Sequence, residues 1–320
     1  MMLHARTPPA AKRAALRAAL AGGGLLRFPG AFNPLSARLI EERGFEGVYV
    51  SGAVVSAELA LPDIGLTTLT EVAQRAGEVA RVTVLPTIVD ADTGFGEPMN
   101  VARTIQVLED AGVAGCHVED QVNPKRCGHL EGKETVDLAT AVRRIRAAVG
   151  ARRDPRFLVI ARTDIRAAEG LAATIERAKA LTEAGADAVF PEALADLGEF
   201  EAVANALDVP VLANMTEFGK SELVTTAQLA DAGVRLVIYP VTLLRLAMGE
   251  VERGLDDLHR SGTQAALVPR MQTRARLYEV LAYDAYTAFD GAVLDGAPTL
   301  VNADGAAGDS PHEPAERNGA

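Results

Sequence analysis

The run VTVLPTIVDADTGFG, residues 82–96, decides the reading of the fold. Apolar and β-branched residues carry it to Val89, after which Asp90 and Asp92 alternate around Ala91. In an extended chain that spacing puts both carboxylates on one side. Turn residues follow, then MNVARTIQVLEDAGVAG (99–115), whose apolar residues recur at helical spacing and whose last turn is closed by a glycine. This is one strand–helix unit with acids at the strand's carboxyl end.

The same pattern recurs along the chain. LLRFPG (25–30), GVYVSG (47–52), GCHVEDQ (115–121), FLVIARTD (157–164), AVFPEA (188–193), PVLANMTE (210–217) and RLVIYP (235–240) make eight strand candidates with the first run. AGV or AGA precedes the fourth, sixth and eighth, a helix stop used three times. Apolar strands alternating with amphipathic helices predict a parallel sheet covered on its outer side. Eight units predict an α/β protein of the (β/α)8 TIM-barrel type. An open doubly wound sheet lacks support, since no G-x-G-x-x-G follows the first strand. Residues 1–24 are expected to add an amphipathic helical segment, interrupted by Lys12, Arg13 and Arg17. Residues 25–294 are expected to hold the barrel and C-terminal helices, including MQTRARLYEVLAYDAYTAFD (271–290), and 295–320 a disordered tail rich in Gly, Pro and acids.

Composition narrows the function. The formal net charge of −11 argues against a nucleic-acid surface or a polybasic membrane anchor. No apolar stretch reaches the roughly 18 residues a membrane helix needs. Two cysteines make neither a disulfide framework nor a structural zinc site, so a cytoplasmic compartment is expected.

In a barrel the chemistry sits at the carboxyl ends of the strands. Asp90 and Asp92 on one face repel each other unless a cation intervenes, and Glu119 ends the next strand. An oxygen-only set suits Mg2+ better than zinc. In VNPKRCGHLEGKE (122–134), Cys127 follows Lys125 and Arg126 and precedes His129, a positive setting that favours a thiolate. Cys116, within an apolar run, reads instead as a small buried hydrophobe.

These segments, with SGAVVSAELALPDIGLTTLTEV (51–72), IARTD (160–164), FPEA (190–193), NMTEFG (214–219) and MQTRARLYE (271–279), resemble the isocitrate lyase and phosphoenolpyruvate mutase superfamily, most closely its 2-methylisocitrate lyase branch. The resemblance implies a homotetramer whose C-terminal helix swaps between subunits. It also implies retro-Claisen cleavage of a tricarboxylate, dependent on Mg2+ (or Mn2+), giving pyruvate and succinate. Metal would be held directly or through water by Asp90, Asp92 and Glu119, with Asp63 nearby. Cys127 would protonate the succinate carbon, its thiolate steadied by Lys125, Arg126 and His129, while Tyr49 would take part in deprotonating the substrate hydroxyl. Ser51, Gly52, Ala53, Gly128, Arg162, Glu192, Asn214, Thr216, Gly219, Arg245 and Arg274 would bind or orient substrate. Phe190 and Ile238 would favour a methyl-bearing substrate over isocitrate. The chain departs from the branch at SGAV, where SGGG is typical, and at CGHLEGKE. The alternative is a relative acting on a smaller diacid, such as dimethylmalate or oxaloacetate, or isocitrate itself.

Overall fold

The computed structural model describes residues 7–126, 128 and 132–294. Cys127, His129 and the tail expected at 295–320 lie outside the described residues. The chain divides into two compact units, one ending at Gln272 and one beginning at Thr273.

The larger unit holds eight strands: β1 Leu26–Pro29, β2 Val48–Val50, β3 Thr87–Asp90, β4 Gly115–Glu119, β5 Leu158–Thr163, β6 Ala188–Pro191, β7 Leu212–Asn214 and β8 Leu236–Tyr239. Each lies within an expected run. All pairings are parallel, in a five-stranded sheet ordered β2-β3-β4-β5-β6 and a three-stranded sheet ordered β1-β8-β7. Single parallel bridges, Gly30 to Tyr49 and Val189 to Val211, link the two sheets. The three repeated helix stops end on Gly112, Gly185 and Gly233, all at positive φ (85°, 104° and 85°), where a side chain would be strained.

Two apolar clusters follow from the two-residue period of the strands. Val48, Val50, Val89, Cys116, Val118, Val159 and Ala161 pack against the surrounding helices. The alternate residues, Leu26, Phe28, Tyr49, Ile88, Leu158, Ile160, Phe190, Leu212, Leu236 and Ile238, form one cluster drawn from both sheets. Cys116 is completely buried, as its apolar run implies.

Along that second face the chemistry changes with height. Leu158 and Ile160 give way to Arg162, Ile88 to Asp90, and Leu212 to Asn214, while His117 and Glu119 alternate on β4. The apolar lower layers secure the strands, and charge accumulates only at their carboxyl ends. Beneath them the helix Pro9–Ala21 is pinned by buried cations. Lys12 Nζ donates to the carbonyls of Ala80 and Thr83 at 2.6 and 2.5 Å, and Arg13 donates to those of Val113 and Glu109 at 3.0 and 2.8 Å.

The helix Thr242–Ser261 buries no residue of its own. Met248, Val251, Leu255 and Leu258 form an exposed apolar stripe along it at helical spacing. In the second unit, the expected C-terminal helical stretch forms as Arg274–Leu281 and Tyr283–Leu294. Ala282 turns the chain between them in the left-handed region, and Tyr278 stacks on Tyr283 with ring centroids 4.7 Å apart. No helix among the described residues is long and apolar enough to cross a membrane.

Candidate active site

The strand ends bring most of the expected residues around one cavity. Tyr49, Ser51, Ala53 and Asp63 line it from the β2 side, Asp90 and Lys125 from β3 and the segment after β4, and Gly128, Arg162, Glu192, Asn214 and Thr216 complete its polar wall. Phe190, Ile238, Pro240 and Val241 supply an apolar wall.

The carboxylates are arranged around cations. Asp90 Oδ2 accepts from the Gly52 N–H at 3.2 Å, and Oδ1 accepts from the Asp92 N–H at 3.0 Å. Glycine at 52 leaves these carboxylates room, because a Cβ there would lie 3.0 Å from Asp90 Oδ2 and 3.2 Å from Asp92 Oδ1 and would press them aside by a few tenths of an ångström. Burial alone would raise Asp90, but His117, Lys125 and Arg162 outweigh it and hold the carboxyl below its ordinary range. Asp92 goes the other way, up to about 6, through burial and the neighbouring Asp90 charge. Its backbone is also in the left-handed region, at φ 45°.

The Lys125 ammonium enters the acidic cluster. It pairs closely with Asp63 and lies 2.8 Å from Asp92 Oδ1. The reason is burial, since with only 4 % of its side chain exposed the cation needs carboxylate partners.

Glu119 Oε2 lies 3.3 Å from Arg162 Nε, whereas Oε1 is buried without a hydrogen-bond partner. Burial pushes this carboxyl well above its usual range, and Asp164 and Asp92 add to the push. Arg162 also reaches Asp164 Oδ2 at 2.9 Å and Glu192 Oε2 at 3.1 Å. Its guanidinium lies 5.1 Å from the centre of the Phe190 ring.

The sequence reading passed over a histidine. His117, completely buried on β4, meets the Tyr49 hydroxyl through Nε2 at 2.7 Å. Its Nδ1 lies 3.6 Å from Asp90 Oδ1 and makes no hydrogen bond. The ring stacks on Tyr49 with centroids 5.9 Å apart and meets Phe190 edge-on at 5.3 Å. Burial lowers His117 to about 4, so it is neutral at physiological pH. Burial and the Asp90 charge raise Tyr49 well above the ordinary phenol range. Tyr49 therefore rests as a phenol, which can donate a hydrogen bond but is a poor base.

Of the other expected substrate contacts, Arg245 and Gly219 are not among the residues lining this cavity. Arg245 is engaged by Glu217, at 2.8 Å to Oε2 and 2.7 Å to the backbone carbonyl, and covers the Phe218 ring at 5.3 Å. Gly219 follows Phe218 in the same loop and does not line the cavity. Arg274 opens a helix of the separate C-terminal unit.

The residues also allow a test of the expected divalent cation. Among the described residues, no three His, Cys, Asp or Glu side chains converge tightly enough to ligate an ion directly. The donor chemistry nonetheless fits Mg2+, which keeps several waters and takes only one or two carboxylates. Buried Glu119 Oε1 lacks a partner, and the raised Asp92 and Glu119 both call for more positive charge.

Residues 16–259 match the family model described as phosphoenolpyruvate phosphomutase. The chain belongs to the isocitrate lyase/phosphoenolpyruvate mutase superfamily. It is 63% identical over 286 residues to the probable 2-methylisocitrate lyase 2 of Corynebacterium glutamicum, covering 89% of this chain and 93% of that protein. Among solved structures, oxaloacetate acetylhydrolase in complex with 3,3-difluorooxalacetate superposes with a TM-score of 0.84 at 34% identity, over 92% of this chain and all of that one. Phosphonopyruvate hydrolase in complex with oxalate and Mg2+ gives 0.81 at 30% identity, over 88% of this chain and 99% of that one. Superfamily membership and this identity make the protein an enzyme of the carbon–carbon lyase type.

Proposed function

We propose that the enzyme cleaves 2-methylisocitrate into pyruvate and succinate by a retro-Claisen reaction that requires Mg2+ or a similar divalent ion. The observation that carries this reading is the ring of buried charge at the strand ends, in a chain 63% identical to a probable 2-methylisocitrate lyase. A cation held directly or through water by Asp90, Asp92 and Glu119, with Asp63 behind Lys125, would lower the pKa of the substrate hydroxyl and stabilise the oxyanion end of the products.

The protein's own groups do the rest. Arg162, kept protonated by Asp164, Glu119 and Glu192, offers a guanidinium fork to a substrate carboxylate. Ser51 and the backbone at Gly52 border the same space, and Asn214 and Thr216 supply amide and hydroxyl groups for the succinate end. Tyr49, fixed by His117, donates its O–H towards the hydroxyl undergoing reaction. As that hydroxyl passes its proton to a carboxylate lining the cavity, the carbon–carbon bond breaks, leaving a carbonyl on the pyruvate half and a carbanion on the succinate half. The Cys127 thiol gives its proton to that carbon, with His129 close in sequence to steady the thiolate. Arg245 supports the loop that carries Thr216 through its grip on Glu217.

The apolar wall of Phe190, Ile238, Pro240 and Val241 gives a substrate methyl somewhere to go. A smaller diacid remains the second reading, favoured by the likeness to oxaloacetate acetylhydrolase; an apolar wall left half-empty by such a substrate weighs against it.

The two sheets close into one barrel on this reading, supported by single bridges at both seams. Residues 25–294 hold that barrel and its C-terminal helices, which serve assembly. The exposed stripe on Thr242–Ser261 supports a homo-oligomer, with a helix-swapped tetramer as the specific form and the cytoplasm as its place. A Cys127→Ser variant tests the chemistry. It should bind 2-methylisocitrate with nearly unchanged affinity and lose turnover, whereas wild-type turnover in that variant would remove the thiol from the mechanism.

A further inference from the structure

Lys133 was not assigned a role by the sequence, yet its side chain is buried beside the site. Only 4 % of its side chain is exposed, and none of the side chain of its partner Asp164 is. The ammonium makes two contacts of different kinds. It lies 2.7 Å from Asp164 Oδ1, and it donates to the backbone carbonyl of Gly128.

Each contact leads to the substrate wall. Asp164 accepts from Arg162 at 2.9 Å through Oδ2, and its own N–H is fixed by Asp120 Oδ1 at 2.9 Å. Asp120 is itself held by Thr163 and Arg177 at 2.7 and 2.9 Å, so Asp164 has little freedom to move. On the other side, the Gly128 backbone abuts the same arginine. A Cβ on Gly128 would lie 2.5 Å from Arg162 Nη2 and 2.6 Å from Glu192 Oε2. One ammonium thus bridges the backbone following Cys127 in sequence and the carboxylate that orients Arg162.

We infer that Lys133 is a positioning residue that fixes the Gly128 backbone and Arg162 relative to one another through Asp164. Without its charge, Asp164 is left to Arg162 alone, which draws the guanidinium away from Glu192 and Glu119. The Gly128 carbonyl loses its donor at the same time. Arginine could restore the charge opposite Asp164, but its planar fork does not reproduce a compact ammonium with two partners in different directions.

The inference rests on the proposed lyase reaction for its kinetic arm, so a second arm is independent of turnover. Lys133→Met, Lys133→Arg and Lys133→Gln would be compared with wild type in the full chain with Mg2+. One arm measures kcat and KM for 2-methylisocitrate; the other measures amide hydrogen exchange over residues 125–135 and over β5 as an internal control. The expected result for Lys133→Met is a fall in kcat of at least tenfold, and exchange at least tenfold faster in 125–135 with β5 unchanged. Lys133→Arg should recover part of both effects. Should Lys133→Met fail to fold, Lys133→Gln, which has no ammonium to hold Asp164 and the Gly128 carbonyl at once, carries the same comparison with the same expected results. Unchanged exchange in 125–135 overturns the inference whatever the turnover. Faster exchange with kcat and KM both within twofold of an active wild type also overturns it, since the contact would then be structural only. A wild type that does not cleave 2-methylisocitrate refutes the proposed reaction instead, and the exchange arm alone then decides the Lys133 contact.

Discussion

Replacing Tyr49 by Phe removes one oxygen from the most enclosed contact in the site. The ring can remain where it is, stacked on His117 at 5.9 Å between centroids, so the packing loss is small. What disappears is the 2.7 Å hydrogen bond to His117 Nε2, which leaves a completely buried imidazole nitrogen without its partner. Such an unsatisfied group costs about 1–3 kcal/mol. In a chain of 320 residues that lowers Tm by only a few degrees. The effect on catalysis is expected to be larger. Loss of one preorganised donor to a developing oxyanion typically lowers kcat about 10²–10³-fold, or roughly 2.7–4 kcal/mol. The Tyr49→Phe enzyme should therefore unfold nearly normally in a thermal melt and lose about two orders of magnitude in kcat. Its KM should change little, because the carboxylate contacts of Arg162 remain. A variant with kcat within threefold of wild type would refute the placing of this hydroxyl at the reacting group. The resting phenol adds a further signature: kcat should show no rising limb near pH 10 that vanishes in Tyr49→Phe.

Gly52→Ala should weaken metal binding rather than folding, because its Cβ would press on Asp90 Oδ2 at 3.0 Å; the concentration of Mg2+ or Mn2+ giving half-maximal activity should rise at least tenfold, and an unchanged value would contradict the carboxylate assignment. Stability should fall as pH drops from the ordinary histidine value of 6.5 towards 4, because His117 stays neutral in the fold while the unfolded chain takes up a proton. That sign follows from linkage, with a folded-state pKa below the unfolded one: the contribution is complete above about pH 6.5 and is lost through the folded value, about 3 kcal/mol in all. Urea melts at pH 7, 5.5 and 4.5 compared with those of His117→Gln should show the slope flatten in the variant. Leu255→Asp, in the exposed stripe of Thr242–Ser261, should shift sedimentation towards smaller species, and an unchanged profile would remove that helix from the assembly surface.

The strands were legible because β-branched runs such as FLVIARTD and RLVIYP must be buried on both faces, and every one of them forms where that rule puts it. The strand ends were legible too, since Asp90, Arg162, Glu192 and Asn214 interrupt an apolar face that has no structural use for them. The direction of long side chains was not. Lys125 adjoins Arg126 and Cys127 in sequence, but its four-carbon stem carries the charge to Asp63 and Asp92. Arg245 looked available until Glu217, 28 residues earlier, claimed it. His117 stayed hidden because a single imidazole in an apolar strand reads as core, and its partner Tyr49 is 68 residues away. Spacing carries a strand's periodicity; it does not carry which distant group completes a hydrogen bond.

The most direct measurement is product release from two substrates assayed side by side: pyruvate from 2-methylisocitrate and glyoxylate from isocitrate, each with Mg2+ and then with EDTA. The account predicts pyruvate formation that EDTA abolishes and that exceeds glyoxylate formation by at least tenfold, the order of discrimination one methyl group in an apolar pocket supplies. Little product from either tricarboxylate, or turnover that EDTA leaves intact, would contradict it.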